Sequence, residues 1–164
     1  MLSRTNYETP IGTLYLIADQ QILLAAGFKG FDDLTQRLSA EDAVREIKSV
    51  KEIPVISDLV DDYFNGDISA LNSIQVRQPG STFYQSVWKA MRKIPVGKTW
   101  SYADLAKRSG SADAVRATGT ACSSNLIAAI IPCHRIVKSG GALGNYAYGV
   151  EVKQWLLRHE GALQ

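Results

Sequence analysis

Ile131-Pro132-Cys133-His134-Arg135 sets a soft nucleophile, an imidazole and a guanidinium side by side. A cysteine attacks carbon well once it is a thiolate, and a neighbouring base or positive charge favours that form. Adjacency alone does not make a Cys–His pair, because successive side chains in a straight strand point to opposite faces. The chemistry therefore requires a bend or a bridging water. The apolar run 126–131 before it reads as a buried strand that stops at Pro132 and delivers Cys133 into a pocket.

Charge and cysteine content narrow the setting. The net charge of +2 over 164 residues conceals an asymmetry. Residues 1–80 carry 7 Lys and Arg against 12 Asp and Glu, a net of −5, whereas residues 81–164 carry 11 against 4, a net of +7. A basic half beside an acidic one fits a polyanion-binding face on one side, although chance surface composition fits it as well. Cys122 and Cys133 are the only cysteines. A disulfide between them would disable the nucleophile, and a Cys/His zinc site would consume Cys133, so neither a metal nor a cofactor is expected. No apolar run is long enough to span a bilayer and no secretory signal is visible, so the expected location is cytoplasmic, with no membrane partner.

The elements that must position these residues follow from pattern. Residues 13–18 alternate as a strand, with Leu14, Leu16 and Ala18 on one face, and pair with the run 22–28 in an antiparallel meander. A short helix is expected over 31–38, and a helix begun by Pro over 54–64, with Val55, Leu59 and Tyr63 on one face. Residues 74–76 read as an edge strand, and residues 78–81 as a boundary. Beyond it, Ser81 or Thr82 caps a helix to about 93, on which Phe83, Val87, Met91 and Ile94 form the apolar face and Trp88 is core. Ser101 caps a helix over 102–108, Gly110 breaks it, and Ser111 caps a third helix over 112–123, giving a helix-turn-helix reading. That third helix is nearly bare, with Arg116 its only cation. So few base-reading side chains argue against a sequence-specific regulator and suit sequence-independent minor-groove contact. Residues 136–138 read as a strand, 139–141 as a turn, 144–149 as a loop, and 150–159 as a helix with Val152, Leu156 and His159 on one side.

Residues 82–161 resemble the O6-alkylguanine-DNA alkyltransferase family. The matching pieces are FYQSVWK (83–89), Ser101-Tyr102, AVRATG (114–119), Asn125, IPCHRIV (131–137), Gly144-Asn145-Tyr146 and WLLRHEG (155–161). Over the first 80 residues the likeness reduces to the TPIGTLYL start and the overall length. The resemblance implies an α/β (α+β) fold: a small ribonuclease H-like sheet-and-helix domain over 1–78 with a structural role, and a helical winged helix-turn-helix domain over 79–164 that binds DNA and transfers the alkyl group.

It also implies roles. Cys133 is the nucleophile, His134 a base acting through water, and Glu160 the carboxylate that orients His134, although without the resemblance Glu160 would read as an exposed residue at a helix end. Tyr102 donates to guanine N3, and Asn125 supports the active-site turn. Arg116 fills the space left by a flipped base; Ser101, Ala114, Ala117, Thr118, Gly119 and Arg135 are grouped with it as DNA contacts. Ile136, Tyr146, Ala147 and Tyr148 line the base pocket, with the Ile136 and Cys133 carbonyls accepting from the exocyclic amine. The implied partner is double-stranded DNA containing O6-alkylguanine, with room for further copies of the chain along it and a monomer in solution. Each molecule acts once, because a thioether at Cys133 has no nucleophile in view to reverse it; weaker activity on O4-alkylthymine is included. Some family members hold zinc near the N-terminus, but this chain has no Cys or His before residue 122. Two further departures stand out: Tyr148 where several relatives have Gly, which should narrow the pocket, and Thr118 where relatives often have Val. A lesion-holding relative that does not react would lack the Cys, and an acyl hydrolase would need an oxyanion hole that no segment suggests.

Overall fold

The computed structural model describes all 164 residues and divides them into two compact units. Its mixed α/β character agrees with the expected class.

The first unit comprises Met1–Pro79 and Leu126–Ile130. Its sheet is built from β1 (Leu2–Thr9), β2 (Gly12–Asp19), β3 (Ile22–Gly27), β4 (Ile47–Ser49) and β5 (Gln75–Val76), in the order β4-β1-β2-β3-β5. The β1–β2 and β2–β3 pairs are antiparallel, whereas the short edges β4 and β5 run parallel to their neighbours. The pattern reading found β2 and β3 but not β1, whose polar residues alternate only weakly with buried ones. Three α-helices, α1 (Phe31–Thr35), α2 (Ala40–Ala43) and α3 (Ile56–Phe64), and a 3-10 turn at Ala70–Ser73 complete this part of the chain. Helix α3 buries Ile56, Val60 and Tyr63 rather than the expected Val55 face, because Val55 lies before the helix with φ 71°. Asp19, Asp42, Arg45 and Arg77 form a network of ion pairs on this unit, with contacts from 2.7 to 3.2 Å.

The second unit comprises Gly80–Asn125 and Ile131–Gln164. Helix α4 (Thr82–Met91) is capped by Ser81, whose hydroxyl accepts from the Tyr84 N–H. It buries Val87, Trp88 and Met91, and the Trp88 indole N–H donates to the Ala121 carbonyl at 2.9 Å. Strand β6 (Trp100–Ser101) leads into α5 (Tyr102–Arg108), where Ser101 and Asp104 form a reciprocal capping box. Helix α6 spans Val115–Ser123. Its expected start at 112 is not observed: Ser111 does not cap it, and the residue before the helix, Ala114, offers no side-chain acceptor. Strand β7 (Ile136–Val137) runs parallel to β6, pairing Trp100 with Ile136, and α7 (Val150–His159) closes the chain. No helix is long and apolar enough to cross a membrane.

The apolar run before the cysteine is not the strand its composition suggests. Leu126–Ile130 belongs to the first unit, where Ile127 makes one isolated bridge to Ala26 and Leu126 N–H donates to Gln78 Oε1 at 2.9 Å. A turn follows, with Ala129 at φ 69°. One bridge leaves the ladder too short to be a strand, and the turn satisfies the backbone groups that continued pairing would have used.

Candidate active site

Cys133, His134 and Arg135 form a single 3-10 turn immediately before β7. The turn supplies the bend that adjacency requires: at three residues per turn, neighbouring side chains diverge by about 120° rather than 180°. Cys133 remains partly exposed, whereas His134 and Arg135 are buried.

Asn125 lies where the chain leaves the second unit, and Ile131 where it returns. The Asn125 amide nitrogen donates to the Ile131 carbonyl at 2.9 Å and lies 3.6 Å from Cys133 Sγ. One side chain thus closes the neck of the excursion and offers a donor to the sulfur. A weak acceptor as a thiol, sulfur becomes a much better one as a thiolate.

Behind the turn, His134 Nε2 lies 2.9 Å from Glu160 Oε2, with both side chains fully buried. Glu160 also accepts from Arg135 Nε at 2.8 Å and from Arg135 Nη2 at 3.1 Å, while Arg135 Nη1 donates to the Ile94 carbonyl at 3.0 Å. Burial alone would raise the Glu160 pKa, but His134 and Arg135 outweigh it and hold the carboxyl at about 2. Burial lowers the His134 pKa more than Glu160 raises it, so the imidazole is neutral. An ionised carboxylate has no proton to donate, so Nε2 carries the hydrogen and Nδ1 bears the lone pair. Nδ1 is buried and makes no hydrogen bond to protein. Gly97 packs on the Glu160 backbone: it has φ 86°, and a Cβ there would lie 3.1 Å from the Glu160 main-chain carbonyl oxygen.

The β6–β7 pair brings the start of α5 to the same place, since Ser101 lies opposite Val137. Burial, then Cys122 and Cys133, raise the Tyr102 pKa, which keeps the phenol a neutral donor. Gly119 on α6 approaches the Tyr102 ring, which a Cβ would meet at 3.9 Å. Arg116 and Ala117 are exposed on the same helix, Gly119 is partly exposed, and so is Ala114 just before it.

Two expected DNA contacts are corrected. The Arg135 guanidinium is buried and committed to Glu160 and Ile94, so it serves the core of the site rather than a DNA-facing surface. Thr118 is fully buried, on the inward side of α6. In the pocket group, Tyr146 and Tyr148 pack edge to face at 5.7 Å, and Ala147 between them is exposed. Both expected carbonyl acceptors already take a hydrogen bond, Cys133 from the Ile136 N–H and Ile136 from Lys153.

Lys153 is not among the residues expected on the inward face of α7, Val152, Leu156 and His159. The buried residues are Lys153, Leu156 and Leu157. The adjacent leucines at 156 and 157 were the available signal, since residues three and four positions earlier share their face.

A family model described as the DNA-binding domain of 6-O-methylguanine DNA methyltransferase matches residues 82–162. A methylated-DNA–protein-cysteine methyltransferase of Salmonella typhimurium is 36% identical over 166 residues, covering 99% of this chain and 97% of its own. One from Methanosarcina acetivorans is 32% identical over 156 residues, covering 95% and 96%. The crystal structure of Mycobacterium tuberculosis OGT in complex with DNA aligns at a TM-score of 0.79 and 29% identity, over 98% of this chain and 93% of that one. With likeness in sequence and backbone extending over nearly the whole length, the chain belongs to the methylated-DNA–protein-cysteine methyltransferase family, whose reaction is alkyl transfer from DNA to a cysteine.

Proposed function

We propose that this protein repairs O6-alkylguanine, chiefly O6-methylguanine, in double-stranded DNA by moving the alkyl group to Cys133, once per molecule. The observation that carries the reading is the arrangement around one sulfur. Asn125 offers a donor at 3.6 Å, and the adjacent His134 is held by Glu160 in the tautomer that leaves Nδ1 able to accept a proton.

The Cys133 proton passes through a water to Nδ1 of His134. A buried acceptor with no protein partner is the kind of group that an ordered water satisfies. The thiolate attacks the alkyl carbon in line, forming the S–C bond as the C–O6 bond breaks, and the departing electron pair stays on guanine. Tyr102 donates to N3 as charge grows there, and guanine ends with the proton that the thiol gave up. The product thioether is stable to water and thiols, so turnover ends.

A base stacked in a duplex does not reach Cys133, so the nucleotide is flipped out at a cost of a few kcal/mol. Exposed Arg116 on a helix of small residues fills the vacated place, and the Tyr146–Tyr148 loop forms one wall of the base pocket. O4-alkylthymine is a poorer substrate of the same site. The action is cytoplasmic, where the thiol stays reduced. Residues 1–78 act as a structural domain, and 79–164 carry DNA binding and transfer.

Intact-mass spectrometry after mixing with a duplex containing one O6-methylguanine tests this. The expected result is a gain of one CH2, mapped to the peptide holding Cys133 and absent in Cys133→Ser. Tight binding without a mass change would overturn it and leave a lesion-holding binder.

A further inference from the structure

Gln78 is buried, and its Oε1 accepts from the buried Leu126 N–H at 2.9 Å. Burying an amide side chain is costly unless its polar atoms are bonded, and an apolar residue would fill the same space without that cost. What Gln78 adds at this position is an acceptor. Its base is rigid. The preceding residue, Arg77, donates its N–H to the Leu23 carbonyl at 3.1 Å, and its guanidinium pairs with Asp42 at 2.7 Å and with Asp19 at 3.2 Å. Pro79 follows, with φ fixed by its ring.

The segment that Gln78 holds has little freedom of its own. From β3, Ala26 donates to the Leu126 carbonyl at 3.0 Å and accepts from the Ala128 N–H at 3.0 Å. Two three-residue turns then take up the slack before Cys133. The Ile130 N–H donates to the Ala128 carbonyl at 2.8 Å across Ala129, whose φ of 69° makes this a strained, left-handed γ-turn. The Cys133 N–H donates to the Ile131 carbonyl at 2.9 Å across Pro132, an inverse γ-turn. At the other end, the Leu126 N–H belongs to the planar peptide unit that begins at Asn125. An acceptor on that N–H therefore fixes the plane from which the Asn125 side chain springs, and the Asn125 amide nitrogen lies 3.6 Å from Cys133 Sγ.

We propose that Gln78 is a positioning residue for alkyl transfer: by holding the Asn125–Leu126 peptide plane, it sets the Asn125 amide against the Cys133 sulfur. The inference rests on Cys133 being the reacting thiol.

The test compares wild type, Gln78→Glu and Gln78→Met. Glu keeps an acceptor oxygen in either protonation state, whereas Met keeps the length and loses the acceptor. Single-turnover transfer from a duplex holding one O6-methylguanine gives two readouts. The amplitude counts folded, reactive molecules, and the rate constant at saturating DNA reports geometry. The Met variant is expected to keep full amplitude with a rate constant about 10- to 100-fold lower, the scale of a small misplacement near reacting atoms. Glu should restore the rate, and Met should add little to Asn125→Ala, because one residue acts through the other. A Met rate constant equal to wild type, a loss of amplitude alone, or a full Met effect in the Asn125→Ala background would overturn the proposal. If Met does not fold, Gln78→Asn, which withdraws the acceptor by one methylene, takes its place with the same expectations.

Iodoacetamide labelling of Cys133, read by peptide mass spectrometry, needs no DNA. Relative to its high-pH plateau, labelling of the Met variant at pH 7 is expected to be about tenfold slower than in wild type, the worth of a donor to a thiolate. An unreactive wild type on methylated duplex therefore sinks the transferase reading alone, and labelling of the Met variant unchanged from wild type sinks the Gln78 reading alone.

Discussion

His134 Nε2 and Glu160 Oε2 lie 2.9 Å apart with neither side chain exposed, and Arg135 holds the same carboxylate from a second direction. Its hydrogen bonds stabilise an ionised Glu160, while burial keeps His134 neutral against the pull of that carboxylate, so both groups bind fewer protons folded than unfolded. The His134 contribution is complete above its ordinary value of 6.5 and is lost as pH falls below it. The Glu160 contribution is complete above 4.5 and is lost as pH falls towards about 2, with Asp19 and Asp42, both lowered from 3.8, adding to that lower limb. Urea unfolding across pH is expected to show stability declining from about 6.5 downwards. His134→Gln should be flat until pH drops below about 4.5; an unchanged upper limb would contradict this account.

Asn125 holds Ile131 and faces the sulfur with one amide nitrogen. Asn125→Ala is expected to slow transfer from a methylated duplex by about 10- to 100-fold, the worth of a hydrogen bond to a charged group. Single-turnover kinetics measures it.

Thr118 Oγ1 is buried in α6 and makes no hydrogen bond to protein. Replacing the hydroxyl by a methyl removes its desolvation penalty and keeps the shape. Thr118→Val is expected to raise stability by about 1 kcal/mol in urea melts, with the transfer rate unchanged.

Arg116 is exposed on α6. Arg116→Ala should leave stability within about 0.5 kcal/mol of wild type. DNA binding, followed by fluorescence anisotropy across salt concentrations, should weaken, and a lost phosphate contact would reduce the log–log salt slope by about 0.9. An Arg116 that only filled the stack would weaken binding with less change of slope.

Tyr148 packs on Tyr146 at 5.7 Å in the loop proposed as a pocket wall. A ring held there narrows the space for a large substituent, so methyl is expected to be accepted better than benzyl. Tyr148→Gly should raise the benzyl rate by about 10-fold or more, the scale of a few methylenes fitting or failing to fit a pocket. Competition between the two adducts in one duplex reads the ratio directly; equal rates in wild type would refute it.

Much of this protein was legible from local pattern. The caps at Ser81 and Ser101 sit where their hydroxyls meet the N–H of the third helical residue, and that geometry depends only on neighbours. Strands β2 and β3 and core Trp88 follow from periodicity and composition within short windows. Tertiary structure decided the rest, because burial of a polar group depends on distant partners that a local window does not contain. Arg135 reads as a free cation until Glu160, 25 residues later, meets it. Lys153 lies outside the expected inward face of α7, yet the Ile136 and Asn145 carbonyls receive it. The run 126–131 reads as a strand, yet its backbone finds only one bridge at Ala26, about 100 residues away, so it turns instead. Residue types determined what chemistry the chain could carry; long-range packing decided which charges are buried and what receives them.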